Sequence, residues 1–265
     1  MISVEQIYNA INAIAPFSTQ EKWDNSGLLV GAKNMPANKI YLTLDISIDT
    51  ISEAKELGAD LIISHHPVIF SPLKSITPND SVWQLIHSDM SAICVHTPLD
   101  IAKTGINARV YQILKLSLSL KGDYQFFDNT SDKIGIGWID KTDKEWDEIS
   151  LAEVLQKIFN VPVVRYSKGN KPISRIYFCS GSGSSMLEEV AEMGVDAVIT
   201  GDVKHDRWYT ARNLGISLFD CGHYYTEKIA VQILKEYLQD KFSEAEIFCS
   251  TKDNPVYYIM GDNNI

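Results

Sequence analysis

One pattern, met twice, limits how this chain can fold more than any other feature. Lys39-Ile40-Tyr41 recurs 136 residues later as Arg175-Ile176-Tyr177. The same ungapped spacing sets Glu53 against Glu189, Glu56 against Glu192, Gly58 against Gly194, Asp60 against Asp196 and Ile63 against Ile199. Each copy reads as strand, loop, amphipathic helix, Gly-x-Asp turn and second apolar strand. Gly58 and Gly194 fall where a helix would end in a left-handed cap. A βαβ grammar common to both stretches would reproduce part of the match, but so many aligned identities point to an internal duplication. A third strand follows in each half, Ser91–His96 and Ile216–Cys221, and then a helix, near Gly105–Leu114 and Thr226–Leu238. Strands alternating with helices imply a mainly parallel sheet in each half, wound with right-handed crossovers.

The expected fold class is therefore α/β: two related lobes from an internal duplication, their sheets largely parallel with some antiparallel strands. The first lobe is expected over residues 1–120, a connecting segment over 121–172 and the second lobe over 173–265, all packed as one unit. In the connecting segment, Ile134–Ile139 alternates like a strand and runs into the polar Asp140–Lys144. Leu151–Phe159 is a helix candidate with Ser150 as its N-cap, and Val161–Tyr166 is a further strand. The opening Ser3–Ala15 reads as a helix with Ile7, Ile11 and Ile14 on one stripe.

Five of the six histidines stand at or just past the end of an expected strand: His65, His66, His96, His205 and His223. His65-His66 closes the apolar run Leu61-Ile62-Ile63-Ser64, and Pro67 forbids extending the ladder. Open α/β sheets gather ligands beyond the carboxyl ends of their strands, and imidazole is the commonest protein metal ligand. Asp100 follows His96 at the same sheet edge, while Glu227 lies four residues after His223, on the same face if that stretch is helical. Taken singly, His96 reads as a hydrogen-bonded strand end, Asp100 as a helix cap and Glu227 as a solvated helix residue. His87 reads as a helix-surface residue. Convergence at corresponding strand ends favours a metal site, and nitrogen and carboxylate donors suit zinc, manganese, iron or nickel.

Other classes fare worse. A net charge of −10 lacks the basic face of a general nucleic-acid binder, although a bound cation can reverse the local sign for an anionic substrate. The four cysteines form no CxxC pair, and Cys94, Cys179 and Cys221 lie in or beside apolar runs as expected buried thiols. The first residues show neither a basic n-region nor an h-region, and no window reaches spanning length, so a cytoplasmic location is expected.

Five motifs occur in order: Trp23-Asp24-Asn25-Ser26-Gly27-Leu28-Leu29-Val30-Gly31, Ser64-His65-His66-Pro67, His96-Thr97-Pro98-Leu99-Asp100, Ile199-Thr200-Gly201-Asp202 and Gly222-His223-Tyr224-Tyr225-Thr226-Glu227. Together they resemble the type-two GTP cyclohydrolase I homologues, also called the NGG-interacting-factor-three-like family, from about Ile7 to Asn254-Pro255. The resemblance implies two α/β lobes around a dinuclear metal site, assembled as a toroidal homohexamer. It places two divalent ions (zinc, manganese or iron) on His65, His66, Asp100, His223 and Glu227, with Glu227 bridging. It leaves His96 and His205 either supporting the ligands from behind or facing substrate. The stretch from Lys121 to Pro172 is too short for the extra domain some members carry. Pro98, where many members have Asn, and Ser26, often Val, depart from the pattern.

Such a centre fits hydrolysis, because water on divalent ions ionises near neutral pH. The target would be a phosphoester, an amide or, as the family name suggests, C8 of guanine. The guanine comes from the resemblance alone. His96 or His205 would carry the proton to the leaving atom, since imidazole titrates near neutrality. Asp202 would orient such a group, and Gly181–Ser185 is either an anion cradle or a plain connector. The expected activity is metal-dependent hydrolysis of a small nucleotide-like substrate. The alternative is a protein that stores or delivers metal, or binds a partner, without turnover.

Overall fold

The computed structural model describes residues 1–122 and 136–259. The chain opens with α1 (Val4–Ile14), where the Ser3 hydroxyl accepts from the Gln6 amide and the Gln6 side chain accepts from the Ser3 amide. This reciprocal cap satisfies two donors that a helix start leaves open. Then come β1 (Gly27–Val30), β2 (Lys39–Thr43), α2 (Ile48–Glu56), β3 (Leu61–Ser64), α3 (Ser81–His87), β4 (Ser91–Cys94), α4 (Thr97–Ile101) and α5 (Ile106–Leu118). The middle supplies β5 (Trp138–Trp146), α6 (Glu148–Phe159) and β6 (Arg165–Ser167). The remainder runs β7 (Ile173–Phe178), α7 (Leu187–Glu192), β8 (Ala197–Thr200), α8 (His205–Leu214), β9 (Ser217–Asp220), α9 (His223–Glu227), α10 (Ile229–Lys241) and β10 (Glu246–Cys249).

These strands form two sheets of one plan, ordered β10-β2-β3-β4-β1 and β5-β7-β8-β9-β6. The three central strands of each are parallel, and β1, β5 and β6 are antiparallel at the edges. Register repeats as well. Ile40 faces Leu61 and Tyr41 faces Ile62 in the first sheet, as Ile176 faces Ala197 and Tyr177 faces Val198 in the second. The Asp60 carboxylate accepts from the Asn38 and Lys39 amides at 2.9 and 3.0 Å, and Asp196 accepts from Ser174 and Arg175 at 3.1 and 2.8 Å. Gly58 and Gly194 hold φ of +70° and +75° just past α2 and α7.

Strand alternation divides the core. Ile40, Leu42, Ile63 and Ile93 of the first sheet join Ile176, Phe178, Ile199 and Phe219 of the second in one continuous apolar cluster, which α1, α5, α6 and α10 complete. The opposite faces meet α2 and α3 on one side, through Tyr41 and Ile62, and α7 and α8 on the other, through Tyr177 and Val198. Central strands buried on both faces explain their nearly unbroken apolar sequence. Cys94, Cys179 and Cys221 are buried free thiols, while Cys249 is partly exposed. No helix among the described residues is long and apolar enough to cross a membrane.

Several local expectations shift. The strand read at Ile134–Ile139 appears as β5, starting at Trp138 and continuing through the polar run to Trp146; Ile134 and Gly135 lie outside the described residues. Its edge position explains the charges, for Trp138, Thr142 and Trp146 are buried while the side chains between them meet solvent. α6 starts before Leu151 because the Asp147 carboxylate, accepting from the Ser150 amide at 3.0 Å, caps it in place of Ser150. The helix expected at Thr226–Leu238 is two, α9 and α10. Finally, β10 lies within the stretch assigned to a second lobe, yet it pairs with β2, register Glu246 to Lys39 through Cys249 to Leu42. The open edge of β2 needs a ladder partner, and the short apolar run Ile247-Phe248-Cys249 supplies it.

Candidate metal centre

The carboxyl ends of both sheets open toward each other, and the strand-end side chains meet there. His65 and His66 leave β3, Asp100 comes from α4 after β4, and α9 after β9 carries His223 and Glu227 one helical turn apart. The Glu227 Oε2 atom lies 2.8 Å from His223 Nε2, 3.0 Å from His66 Nε2 and 3.7 Å from His65 Nε2. His65 Nε2 is also 3.8 Å from Asp100 Oδ1. Among the described residues three compact donor groups result, His66/His223/Glu227, His65/Asp100/Glu227 and His65/His66/His96, the first two containing Glu227. His65, Asp100 and Glu227 are buried, whereas His66 and His223 are partly open.

Each imidazole is fixed from behind. His65 Nδ1 donates to the Val95 carbonyl at 2.9 Å; that oxygen can only accept, so in the neutral ring Nε2 presents a lone pair. His66 Nδ1 contacts Asp45 at 2.8 Å and His223 Nδ1 contacts Asp202 at 2.8 Å. Carboxylates and carbonyls at the rear nitrogen set the tautomer of metal-binding histidines in this way. His65 Nε2 is buried with no hydrogen-bond partner, and the His66 and His223 Nε2 atoms approach to 3.2 Å. Lone pairs converging on one carboxylate repel each other unless protons or a cation lie between them. The residues therefore fit a divalent cation site.

Titration follows the same logic. Burial alone would lower His66 and His223, but Asp45, Asp202 and Glu227 override it and push them up to about 9 and about 10. Burial would raise Glu227, yet the three imidazoles hold it well below the usual carboxylate range. Burial pushes Asp100 upward, with His65 opposing.

Local sequence explains the placement. Asp100 is anchored by Ser180, whose hydroxyl donates to its Oδ1 at 3.2 Å, and Asn107 reaches both the Asp100 carbonyl and Ser180. Pro98 sits in the first turn of α4, where its missing N–H costs nothing. Gly181 follows β7 with φ +63°; a Cβ there would lie 2.0 Å from Glu227 Oε1, so only glycine lets this backbone pass the carboxylate. Two amides of the loop from Gly181 are already committed, Gly181 donating to Thr226 and Gly183 to Thr200.

His96 stands beside the centre, its ring 5.2 Å from His65 and 5.5 Å from His66. Its Nδ1 contacts Asp24 at 2.8 Å. The Ser26 hydroxyl donates to Asp24 and accepts from the His96 amide, a tie that a valine could not make. Burial would raise Asp24, but hydrogen bonds from His96, Thr97 and Ser26 hold it well below the ordinary range. His205 is exposed at the start of α8 against Tyr209, belonging neither to the donor groups nor to the lining of the two clefts flanking the centre. Asp202 orients His223, not a proton carrier. Asp45 escaped the motif reading of the site, while Asp24 and Gly181 stood inside quoted motifs without the roles they hold here. Only their position after or before a strand end could have flagged them.

Comparison with known proteins agrees with this architecture. The family model described as Duf34/NIF3 (NGG1p interacting factor 3) matches residues 2–255. A Campylobacter jejuni protein named GTP cyclohydrolase 1 type 2 homolog is 30% identical over 97% of this chain and 100% of its own length. A Helicobacter pylori protein named GTP cyclohydrolase 1 type 2 is 34% identical over 90% of this chain and 92% of its own. The crystal structure of a Bacillus cereus protein related to NIF3 superposes with a TM-score of 0.83 at 20% identity, covering 98% of this chain and 99% of that one.

Proposed function

The chain belongs to the Duf34/NIF3 family, and from that premise we propose that it is a hydrolase using two divalent cations on a nucleotide-like substrate. The carrying observation is that Glu227 is common to two donor groups, one completed by His66 and His223, the other by His65 and Asp100. That arrangement suits a pair of ions bridged by one carboxylate, with zinc, manganese or iron compatible with nitrogen and oxygen donors. Such ions would polarise a substrate oxygen and acidify water. GTP ring opening is the concrete candidate, because the Helicobacter pylori relative carries that activity in its name.

The chain's own part is positioning and proton transfer. Asp45, Asp202 and Val95 fix three imidazoles so that their Nε2 atoms face inward. His96, held at Nδ1 by Asp24, lines the cleft beside the two donor groups that share Glu227. There it can hand a proton to the leaving nitrogen or oxygen as water adds and the bond to that atom breaks. Of the two expected proton carriers, only His96 lines this cleft. The repeated register, Asp carboxylate contacts and glycine caps support reading the two units as copies of one ancestor, and the family resemblance supports a ring of six chains in the cytoplasm.

The test is turnover of GTP by protein supplied with manganese, zinc or iron, followed as loss of guanine absorbance. Glu227→Gln should abolish it while the assembly measured by light scattering stays intact. Turnover unchanged by that substitution removes the hydrolase reading. Metal that exchanges at micromolar levels, with no turnover of any nucleotide, supports storage or delivery instead.

A further inference from the structure

Two large aromatic side chains stand half in water beside this centre without a folding reason. Trp23 is 53% exposed and Phe70 54%. Their ring centroids are 6.1 Å apart at an interplanar angle of 41°, and His96 meets both edge-on, at 5.7 and 6.4 Å. All three line a cleft of about 590 Å³ that also reaches Asp100 and Glu227, a size common for small-ligand sites.

The corner is held in place rather than left loose. Trp23 sits inside a tight turn closed by the Asp24 amide on the Glu21 carbonyl at 2.9 Å. The Glu21 amide donates to Thr97 Oγ1 at 3.0 Å, and the buried Asp24 carboxylate gathers Ser26, Thr97 and His96. The Asn25 side chain donates to the Ile69 carbonyl at 2.6 Å, tying the Trp23 turn to the loop carrying Phe70. Six linked hydrogen bonds thus fix two exposed rings relative to the imidazole, an arrangement that core packing does not require.

We propose that Trp23 and Phe70 form the stacking subsite for the planar heteroaromatic ring of the substrate, holding it against His96 at the mouth of the metal centre. The assignment deepens the nucleotide reading above and rests on it for the ring's connection to chemistry. A flat ring covers the indole face while Phe70, tilted to it, packs at the ring's edge; both contacts favour π systems over aliphatic groups. A heteroaromatic rim carries donors and acceptors, and the same cleft offers Ser182, Ser185 and Glu21 to meet them. A purely aliphatic ligand would leave those groups without partners.

The experiment measures binding of guanosine, which has a ring but no phosphate, and of ribose 5-phosphate, which has no ring. The full chain is loaded with manganese and titrated by calorimetry. Trp23→Ala should weaken guanosine about 10- to 100-fold, the usual worth of one stacked base. Phe70→Ala should also weaken it, Trp23→Phe should keep most of the affinity, and ribose 5-phosphate should be unaffected throughout. Guanosine bound equally by wild type, Trp23→Ala and Phe70→Ala overturns the subsite, as does failure of the wild type to bind it. A changed assembly state in Trp23→Ala with guanosine affinity intact also overturns it, assigning the rings to a subunit contact. GTP turnover whose KM ignores Trp23→Ala overturns the subsite and leaves the hydrolase standing. Guanosine affinity lost in Trp23→Ala, in a chain that turns over no nucleotide, supports the subsite and removes the hydrolase.

Discussion

Gly181→Ala and Gly194→Ala form a matched pair that separates backbone strain from contact with the metal centre. Both glycines are left-handed, at φ +63° and +75°, so alanine at either pays the left-handed penalty of roughly 1–2 kcal/mol. Their surroundings differ. A Cβ at Gly194 meets nothing within 4 Å, while one at Gly181 would lie 2.0 Å from Glu227 Oε1 and 3.2 Å from His223 Nε2. The carboxylate cannot swing aside freely, because its Oε2 is held at 2.8 and 3.0 Å from His223 and His66. Overpacking of this kind adds about 1–3 kcal/mol, giving roughly 2–5 kcal/mol in all for Gly181→Ala. Urea unfolding of chelator-treated protein reads the stability loss from the midpoint at constant slope. Chelator competition on loaded protein should show Gly181→Ala weakened about 10- to 100-fold, as when ligand orientation is disturbed, and Gly194→Ala unchanged. If the two variants coincide in midpoint and in metal retention, Gly181 is an ordinary turn residue and the close approach to Glu227 has no energetic meaning.

Two further outcomes follow from the imidazole contacts. Asp202→Asn or Asp45→Asn should lower metal affinity about 10-fold, the smaller end of such effects because both carboxylates are more than half exposed; chelator competition giving wild-type affinity for both would contradict their orienting role. In metal-free protein His66 and His223 stay protonated at pH 7, since their values are raised to about 9 and about 10. Loading at pH 7 should therefore expel about two protons per chain, and affinity should climb with pH until those values are passed. Calorimetry in buffers of different ionisation enthalpy measures this release, and a buffer-independent heat at pH 7 would refute it.

The strand–helix alternation was legible because each element buries a continuous apolar face, and β3 begins and ends where the run Leu61–Ser64 does. The repeated Gly-x-Asp turn was equally clear, since the left-handed cap and the Asp carboxylate act within a few residues of chain. What remained hidden depends on distant partners. The polar run in β5 carries no strand signal of its own until its place at a sheet edge is known, and Glu246–Cys249 shows no sign of its pairing with β2. At the centre, strand-end position was enough to nominate His65, His66, Asp100, His223 and Glu227, which the fold gathers. The orienting roles of Asp24 and Asp45 were missed because a carboxylate contacting an imidazole 72 or 21 positions away carries no local pattern. His205 shares the strand-end signature yet follows β8 with its ring turned out to Tyr209.

The order in which a ribosome releases these strands reverses the usual sequence of closure. Every strand of the second sheet comes from residues between Trp138 and Asp220, so that sheet is complete while the last helix is still being made. The first sheet must wait for Glu246–Cys249 to emerge, and until then the outer ladder of β2 stays bare. The half translated last is the half able to finish first, and the early half passes through synthesis with one adhesive margin uncovered.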